Sequence, residues 1–320
     1  MSAEIDMSNG KANVAYINET PWHGLGQSLT PGAALEIWAE QAGQNWEAKR
    51  AALRYTAGKD TVSIPNRKAL YRSDTHAFLG MVADGYKIVQ PKEVLEFYRD
   101  LISDFGFEME TAGCLFGGKR VWALANCKKA VALKGNDDVN LYLLLATSFD
   151  GSMSTQARLT GVRVVCNNTL ELATASNGVG NNVVRVYHTA SFNSDAVKKQ
   201  LDIDNRWQNF CDTASKMQNR EVSKAEVIDF LTKLYKINPN SSELIKNRFL
   251  ARMEHSLFNA PGAQKTGSAG TLWGVLNAVT YDVDHKATRV ADYRMANGMM
   301  GAGSLLKQQA WKEAEMALAA

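Results

Sequence analysis

Between Trp46 and Val89 apolar and polar residues alternate in short runs, WEAKRAALRYT, TVSIP, KALYR and AFLGMVADGYKIV, broken at Ala57-Gly58-Lys59-Asp60 and Ser73-Asp74-Thr75-His76. A period of two places alternate side chains on opposite faces of a strand, and Gly, Asp and Ser supply turns, so the stretch reads as an antiparallel meander. From Pro91 to Phe105 the period becomes helical: Val94, Leu95, Tyr98, Leu101, Ile102 and Phe105 share a face, and Gly106 supplies a left-handed stop. FEMETAGCLF and KRVWALANC then flank Gly117-Gly118 as a hairpin, with Arg120 and Trp122 on one face of the second strand. Leu141 to Leu145 is apolar on both alternating faces, as a strand covered on both sides is. Asp150-Gly151 turns the chain into a further strand ending at Val162 to Cys166, and Asn167 or Asn168 is placed to cap a helix beginning at Thr169.

Ahead of the meander, residues 1–20 are polar and aperiodic and read as a flexible arm. Thr20-Pro21-Trp22-His23-Gly24-Leu25-Gly26 reads as a structural plug, and Pro31 to Ala42 as a short helix stopped by Gly43. SNGVGNN, residues 176–182, is a small-residue break and the candidate domain boundary. Beyond Ser191 the periodicity is helical: one long helix from Ser194, a capping box at Ser223-Lys224-Ala225-Glu226, a helix from Ser241 or Ser242, and two final helices on either side of 290. The fold class expected is α+β. An N-terminal arm (1–20) leads into a domain of antiparallel β-hairpins with packed helices (21–180), and an all-helical domain follows (190–320).

With 45% hydrophobic and 22% charged residues, the chain belongs to the ordinary globular class. No apolar run reaches the roughly 18 residues of a membrane span, and the N-terminus lacks the basic and apolar blocks of a signal peptide. A cytoplasmic protein with no membrane partner is the expectation. The four cysteines lack CxxC spacing and read as buried thiols. Residues 1–112 carry 11 Lys/Arg against 15 Asp/Glu, 113–175 carry 7 against 4, and 176–320 carry 18 against 14. A basic centre and C-terminal half suit a polyanionic partner or self-association.

Catalytic motifs are not written in the chain. Gly262-Ala263-Gln264-Lys265-Thr266-Gly267 has the wrong order for a phosphate loop, whose Lys-Ser/Thr follows the second glycine, so Lys265 is read at most as a contact to a phosphate chain. Asp282, Asp284 and His285 do not fall on one helical face, which argues for a solvated surface over a metal site. No catalytic residue, metal or cofactor is expected. What remains is a basic-aromatic set: Lys119, Arg120 and Trp122 on one strand, Lys128 and Lys129 after it, Phe149 at a hairpin tip, and Arg158 and Arg163 on the last strand. Cations for phosphates and aromatics for bases are what single-strand binding needs. Arg158 and Arg163 are five residues apart and share a face if Gly161 forms a bulge.

Taken together, TPWHGLG, GYKIVQPKEVLEFYRDL, ETAGCLFGGKRVWALA, DGS followed by LTGVRVVCNNTLELA, and SAGTLWGVLNAVTYDVDH resemble the phage/plasmid-like family of unknown function found in bacteriophages and mobile plasmids. The resemblance implies a protein acting inside a bacterial host cell and carries no activity. More faintly, the helix, hairpin, Asp-Gly-Ser turn and strand of about 86–175 are similar to the core of single-strand annealing recombinases and their phage relatives. That likeness implies a homo-oligomeric ring or filament holding DNA in a basic groove. The expectation is therefore a protein that binds single-stranded DNA and promotes annealing, with a host-interaction or anti-defence protein that binds a protein or nucleotide signal as the alternative.

Overall fold

Strands form most of the N-terminal half, and helices most of the C-terminal half, in an α+β architecture. The structure, a computed structural model, describes residues 5–8, 10–18, 25–163, 168–171, 183–238, 240–286 and 294–319. In chain order these form β1 (Val14–Tyr16), β2 (Gln27–Ser28), α1 (Leu35–Gln41), β3 (Ala48–Ala57), β4 (Asp60–Arg72), β5 (Phe78–Ala83), α2 (Pro91–Glu96), α3 (Arg99–Phe105), β6 (Glu108–Leu115) and β7 (Arg120–Leu133). There follow β8 (Asp137–Ser148), β9 (Thr155–Arg163), β10 (Asn168–Glu171), β11 (Val183–Val186), α4 (Ser194–Leu201), α5 (Ile203–Asn219), α6 (Lys224–Leu234), α7 (Glu243–Phe258), α8 (Leu272–Tyr281), α9 (Arg294–Met300) and α10 (Ala302–Ala319). Two compact units result. One is Met1–Lys128, Tyr142–Arg158 and Val183–Leu201; the other is Lys129–Leu141, Leu159–Asn182 and Asp202–Ala320.

The parts of β9, β8 and β7 that belong to the first unit run with β6, β1 and β2 in the order β9-β8-β7-β6-β1-β2, β11 adds to β9, and β3-β4-β5 form the separate meander expected from the alternation. Leu143 and Leu145 are fully buried, as their two-sided apolar pattern requires. The expected helix over 91–105 is two helices, α2 and α3, parted at Phe97-Tyr98. The Tyr98 hydroxyl reaches the carbonyl oxygens of Ala123 and Leu143 at 2.7 and 3.0 Å, so the phenol in this break ties the helical layer to two strands. Residues 5–8 and 10–18 are not a free arm. Val14 to Tyr16 pair with Thr111 to Gly113, Ile5 bridges to Leu115, and Val14 and Ala15 are fully buried.

In the second unit Phe210 stacks between Trp207 and Trp311, with ring centroids 5.2 and 5.1 Å away. The long helix expected from Ser194 breaks into α4 and α5 at Asp202, whose backbone is left-handed (φ 44°). Asn168 to Glu171, where a helix was expected, is instead β10, paired with Thr160 to Arg163; the open edge of β9 overrides a local helical preference. Asp282 is fully buried rather than solvated. It accepts from the Tyr235 hydroxyl (2.8 Å) and lies 2.9 Å from Arg252 Nε, and its burial pushes the carboxyl above the ordinary range despite that cation. The plug residues Thr20 to Gly24, Asn167 and the break at 176–182 lie outside the described residues.

Ser223 and Glu226 form the expected capping box: Ser223 Oγ accepts from Glu226 N (3.2 Å) and the Glu226 carboxylate accepts from Ser223 N (2.8 Å). These bonds and Arg220 hold the Glu226 carboxyl down to about 2. A depressed carboxyl stabilises the fold above its unfolded titration range and loses that contribution as pH falls toward 2. Glu226→Gln is therefore expected to lower the melting temperature at pH 7, with the gap to wild type closing as pH approaches 2, as thermal denaturation across pH would measure.

Candidate nucleic-acid interface

The basic-aromatic set does not line a groove. Trp122 and Phe149 are fully buried. The Phe149 ring sits 5.2 Å from that of Trp46, so in this conformation neither aromatic offers a face to a base. Arg158 is buried and donates to Gln156 (3.0 Å). Arg163, also buried, donates through Nε to Asp137 (2.6 Å) and through Nη2 to the Gly262 carbonyl (2.9 Å) and Ser268 Oγ (2.8 Å). Asp137 accepts from Trp273 Nε1 as well (2.9 Å), which makes the pair a structural knot of the second unit. Pairing of β9 with β10 runs through Gly161 without a shift, so no bulge there turns Arg158 and Arg163 to one face.

The remaining cations are more exposed, and the side chains of all but Lys119 have partners among the described residues. Arg120 lies over the Phe116 ring at 4.9 Å and donates to Ser152 (3.3 Å), and Lys119 is half-buried. Lys128 pairs with Glu108 and Lys129 with Asp204, while Lys265 donates to the Asn136 carbonyl and so clamps its loop to the β7–β8 turn. Among the described residues no group of three or more His, Cys, Asp or Glu side chains is placed to hold a metal ion, and no helix is long and apolar enough to cross a membrane.

A different surface brings cations and aromatics together: the meander β3-β4-β5. Cross-strand partners share a face, and the register places Lys49, Tyr71 and Phe78 in one row and Ala51, Ala69 and Met81 in the next. The register shift between Leu70 and Tyr71 gives β5 one extra residue, which turns Phe78 to the same side as Met81. Phe78 is 58% exposed and Met81 50%. The His76 ring lies 6.1 Å from Tyr71. The opposite face carries Leu70, Leu79 and Val82, all buried. Gly80 is needed there, because a Cβ would come within 2.5 Å of Asp150 Cα at the β8–β9 hairpin tip.

Past these rows the sheet narrows to β3 and β4 alone, and none of residues 49–67 is buried. Residues 49–68 hold six Lys/Arg (Lys49, Arg50, Arg54, Lys59, Arg67, Lys68) against one acid, Asp60. Arg54, Lys59 and Arg67 make no ion pair among the described residues. The run was hidden because residues 1–112 are net acidic; a 20-residue charge window over the meander would have found it.

Arg72, the last residue of β4, roots this sheet. Its fully buried guanidinium donates to Asp6 (2.5 Å) and doubly to Asp74 (2.7 and 2.9 Å), and it lies 4.6 Å from the centroid of the Trp46 ring. Burial opposes its charge, yet Asp74 and Asp6 hold the guanidinium protonated well above its ordinary range. Burial likewise works against the Asp74 carboxylate, and Arg72 outweighs it, holding that carboxyl below its ordinary range.

Replacing Arg163 with Ala strands the fully buried Asp137 carboxylate. Removal of one member of such a pair costs about 3–5 kcal/mol, so Arg163→Ala is expected to lower stability by that order in urea denaturation, where a surface phosphate contact would leave stability unchanged.

No curated protein and no solved structure matches the chain. Residues 78–311 match the family described as "Domain of unknown function (DUF932)", a span that begins at the first residue of β5 and leaves β3 and β4 ahead of it. The chain belongs to the DUF932 family.

Proposed function

We propose that this protein binds single-stranded DNA on the open face of β3-β4-β5 and promotes pairing of complementary strands, acting stoichiometrically as a homo-oligomer inside a bacterial host that carries its phage or plasmid. The observation that carries the reading is the row Lys49-Tyr71-Phe78, with exposed Met81, His76 and Arg67 around it. An aromatic face stacks on any base, and neighbouring cations neutralise phosphates, so such a sheet holds a strand with little regard to sequence. It favours unpaired bases because those of a duplex are already stacked on each other. Holding a strand extended with its pairing edges outward is the chemical requirement for annealing, and it consumes no cofactor.

A second reading, a protein partner from the host, is favoured by the apolar character of Phe78 and Met81, which a partner would cover. The two readings differ in salt dependence, since only a polyanion releases counterions on binding.

Tyr71→Ala with Phe78→Ala tests the proposal. Each lost base stack costs about 1–3 kcal/mol, so fluorescence anisotropy with an oligothymidylate is expected to show at least roughly tenfold weaker binding by the folded double variant. Wild-type binding should fall steeply with salt. Equal affinities of wild type and a folded double variant, or binding that salt does not touch, would contradict the proposal.

A further inference from the structure

We infer that the distal part of the β3–β4 ribbon, Arg54 to Ser63, is a separate grip for double-stranded DNA that seats in the major groove of a B-form duplex. The inference rests on the single-strand reading only for its setting, since annealing turns a bound strand into a duplex.

Every residue from Arg54 to Ser63 is exposed, and a two-stranded ribbon with neither face covered has no core of its own to bury. The ribbon is also set off from the sheet below it. Pairing jumps from Ala52↔Lys68 to Arg54↔Ser63, and the extra residues of β4 include Pro65 and Asn66, whose φ is +57°. Leu53 and Ile64 at this junction are only half-buried. Side chains beyond the junction are therefore exposed and contribute little to the core, with Tyr55 and Val62 partly covered.

Their arrangement has a chemistry. The register puts Arg54 opposite Ser63 and Thr56 opposite Thr61 on one face, and Tyr55 opposite Val62 on the other, with Gly58 (φ +64°) and Lys59 at the turn. Guanidinium and hydroxyl groups are those that bond base edges and phosphates, and the major groove, about 12 Å wide, admits a two-stranded ribbon. The A-form major groove of duplex RNA is too deep and narrow for one. The distal ribbon itself carries Arg54 and Lys59 against Asp60, and the cations at its base, Arg50, Arg67 and Lys68, extend the positive field that attracts a polyanion. An anionic membrane is disfavoured: Tyr55 and Val62 are the only large apolar side chains of the distal ribbon, and a membrane-seated element needs a broad apolar face.

The test compares Arg54→Ala/Lys59→Ala with wild type, using four probes: a 30-base-pair DNA duplex, one of its single strands, the same duplex as RNA, and vesicles of mixed neutral and anionic phospholipid. Circular dichroism and melting check that the variant folds, as its exposed positions lead one to expect. Expected are at least roughly tenfold weaker binding of duplex DNA and a salt slope lower by about 2, one unit for each phosphate contact removed. Single-strand affinity should fall by clearly less than duplex affinity, because Tyr71, Phe78, Lys49 and Arg67 of the stacking face are unchanged. Wild-type protein that ignores duplex DNA, or a folded variant that binds it as wild type does, would overturn the grip and leave the single-strand reading standing. Duplex binding that depends on Arg54 and Lys59 in a protein that ignores single strands would support the grip and sink the single-strand reading. Preference for duplex RNA, or vesicle binding without duplex binding, would also overturn the grip.

Discussion

Arg72 is the constraint on which the candidate surface depends. A guanidinium with no exposed surface is tolerated only because two carboxylates meet it, one from Asp6 near the start of the chain and one from Asp74 in the next turn, with the Trp46 ring beneath. Asp6 is itself buried and held by the Asn13 side-chain amide at 2.7 Å. The N-terminal segment thus fixes the base of the meander, and the long ribbon above needs no core. Buried pairs of this kind add little net stability next to well-packed apolar residues, but breaking one is costly, so they specify geometry more than they add strength. Here the geometry specified is the direction of β4 where it leaves the body of the first unit.

The same physics separates cations that hold the fold together from cations that are available. Arg72 and Arg163 are enclosed by carboxylates, carbonyls and hydroxyls, and Lys265 is spent on a backbone carbonyl. Arg54 on β3, Arg67 on β4 and Lys59 at the turn between them are exposed and make no ion pair among the described residues. A polyanion gains from the second group alone, since the first would have to give up buried partners to meet it. That contrast places the proposed single-strand surface, with Arg67, and the proposed duplex grip, with Arg54 and Lys59, on the meander and not at the centre of the chain, where the aromatic-basic motifs lie.

Much of the fold was legible because it follows from periodicity and turn chemistry. The alternation over 46–89, the Gly117-Gly118 and Asp150-Gly151 turns, the two-sided apolar strand at Leu141 to Leu145 and the capping box at Ser223 each rest on local rules. What failed to be legible depends on contacts distant in sequence. Asp6 looks like part of a polar arm until Arg72 is beside it, Asn168 to Glu171 becomes a strand only because β9 offers an edge, and Asp282 looks solvated until Tyr235 and Arg252 close over it. The site was obscured for a related reason. Lys, Arg and aromatic residues look alike in sequence whether they are buried or exposed, and Trp122, Phe149, Arg158 and Arg163 turned out to be buried.

The central claim is that single-stranded DNA lies on the open face of the meander with its bases against Tyr71 and Phe78. Photo-cross-linking of the full-length protein to an oligonucleotide carrying 5-bromouracil, with the adducts located by mass spectrometry, tests it most directly because the reaction requires a base in contact with the modified side chain. The account predicts adducts at Tyr71 or Phe78 and none in the peptides carrying Trp122 and Phe149, whose rings are buried. Efficient cross-linking confined to the Trp122 and Phe149 peptides, or to the helical unit, would contradict it.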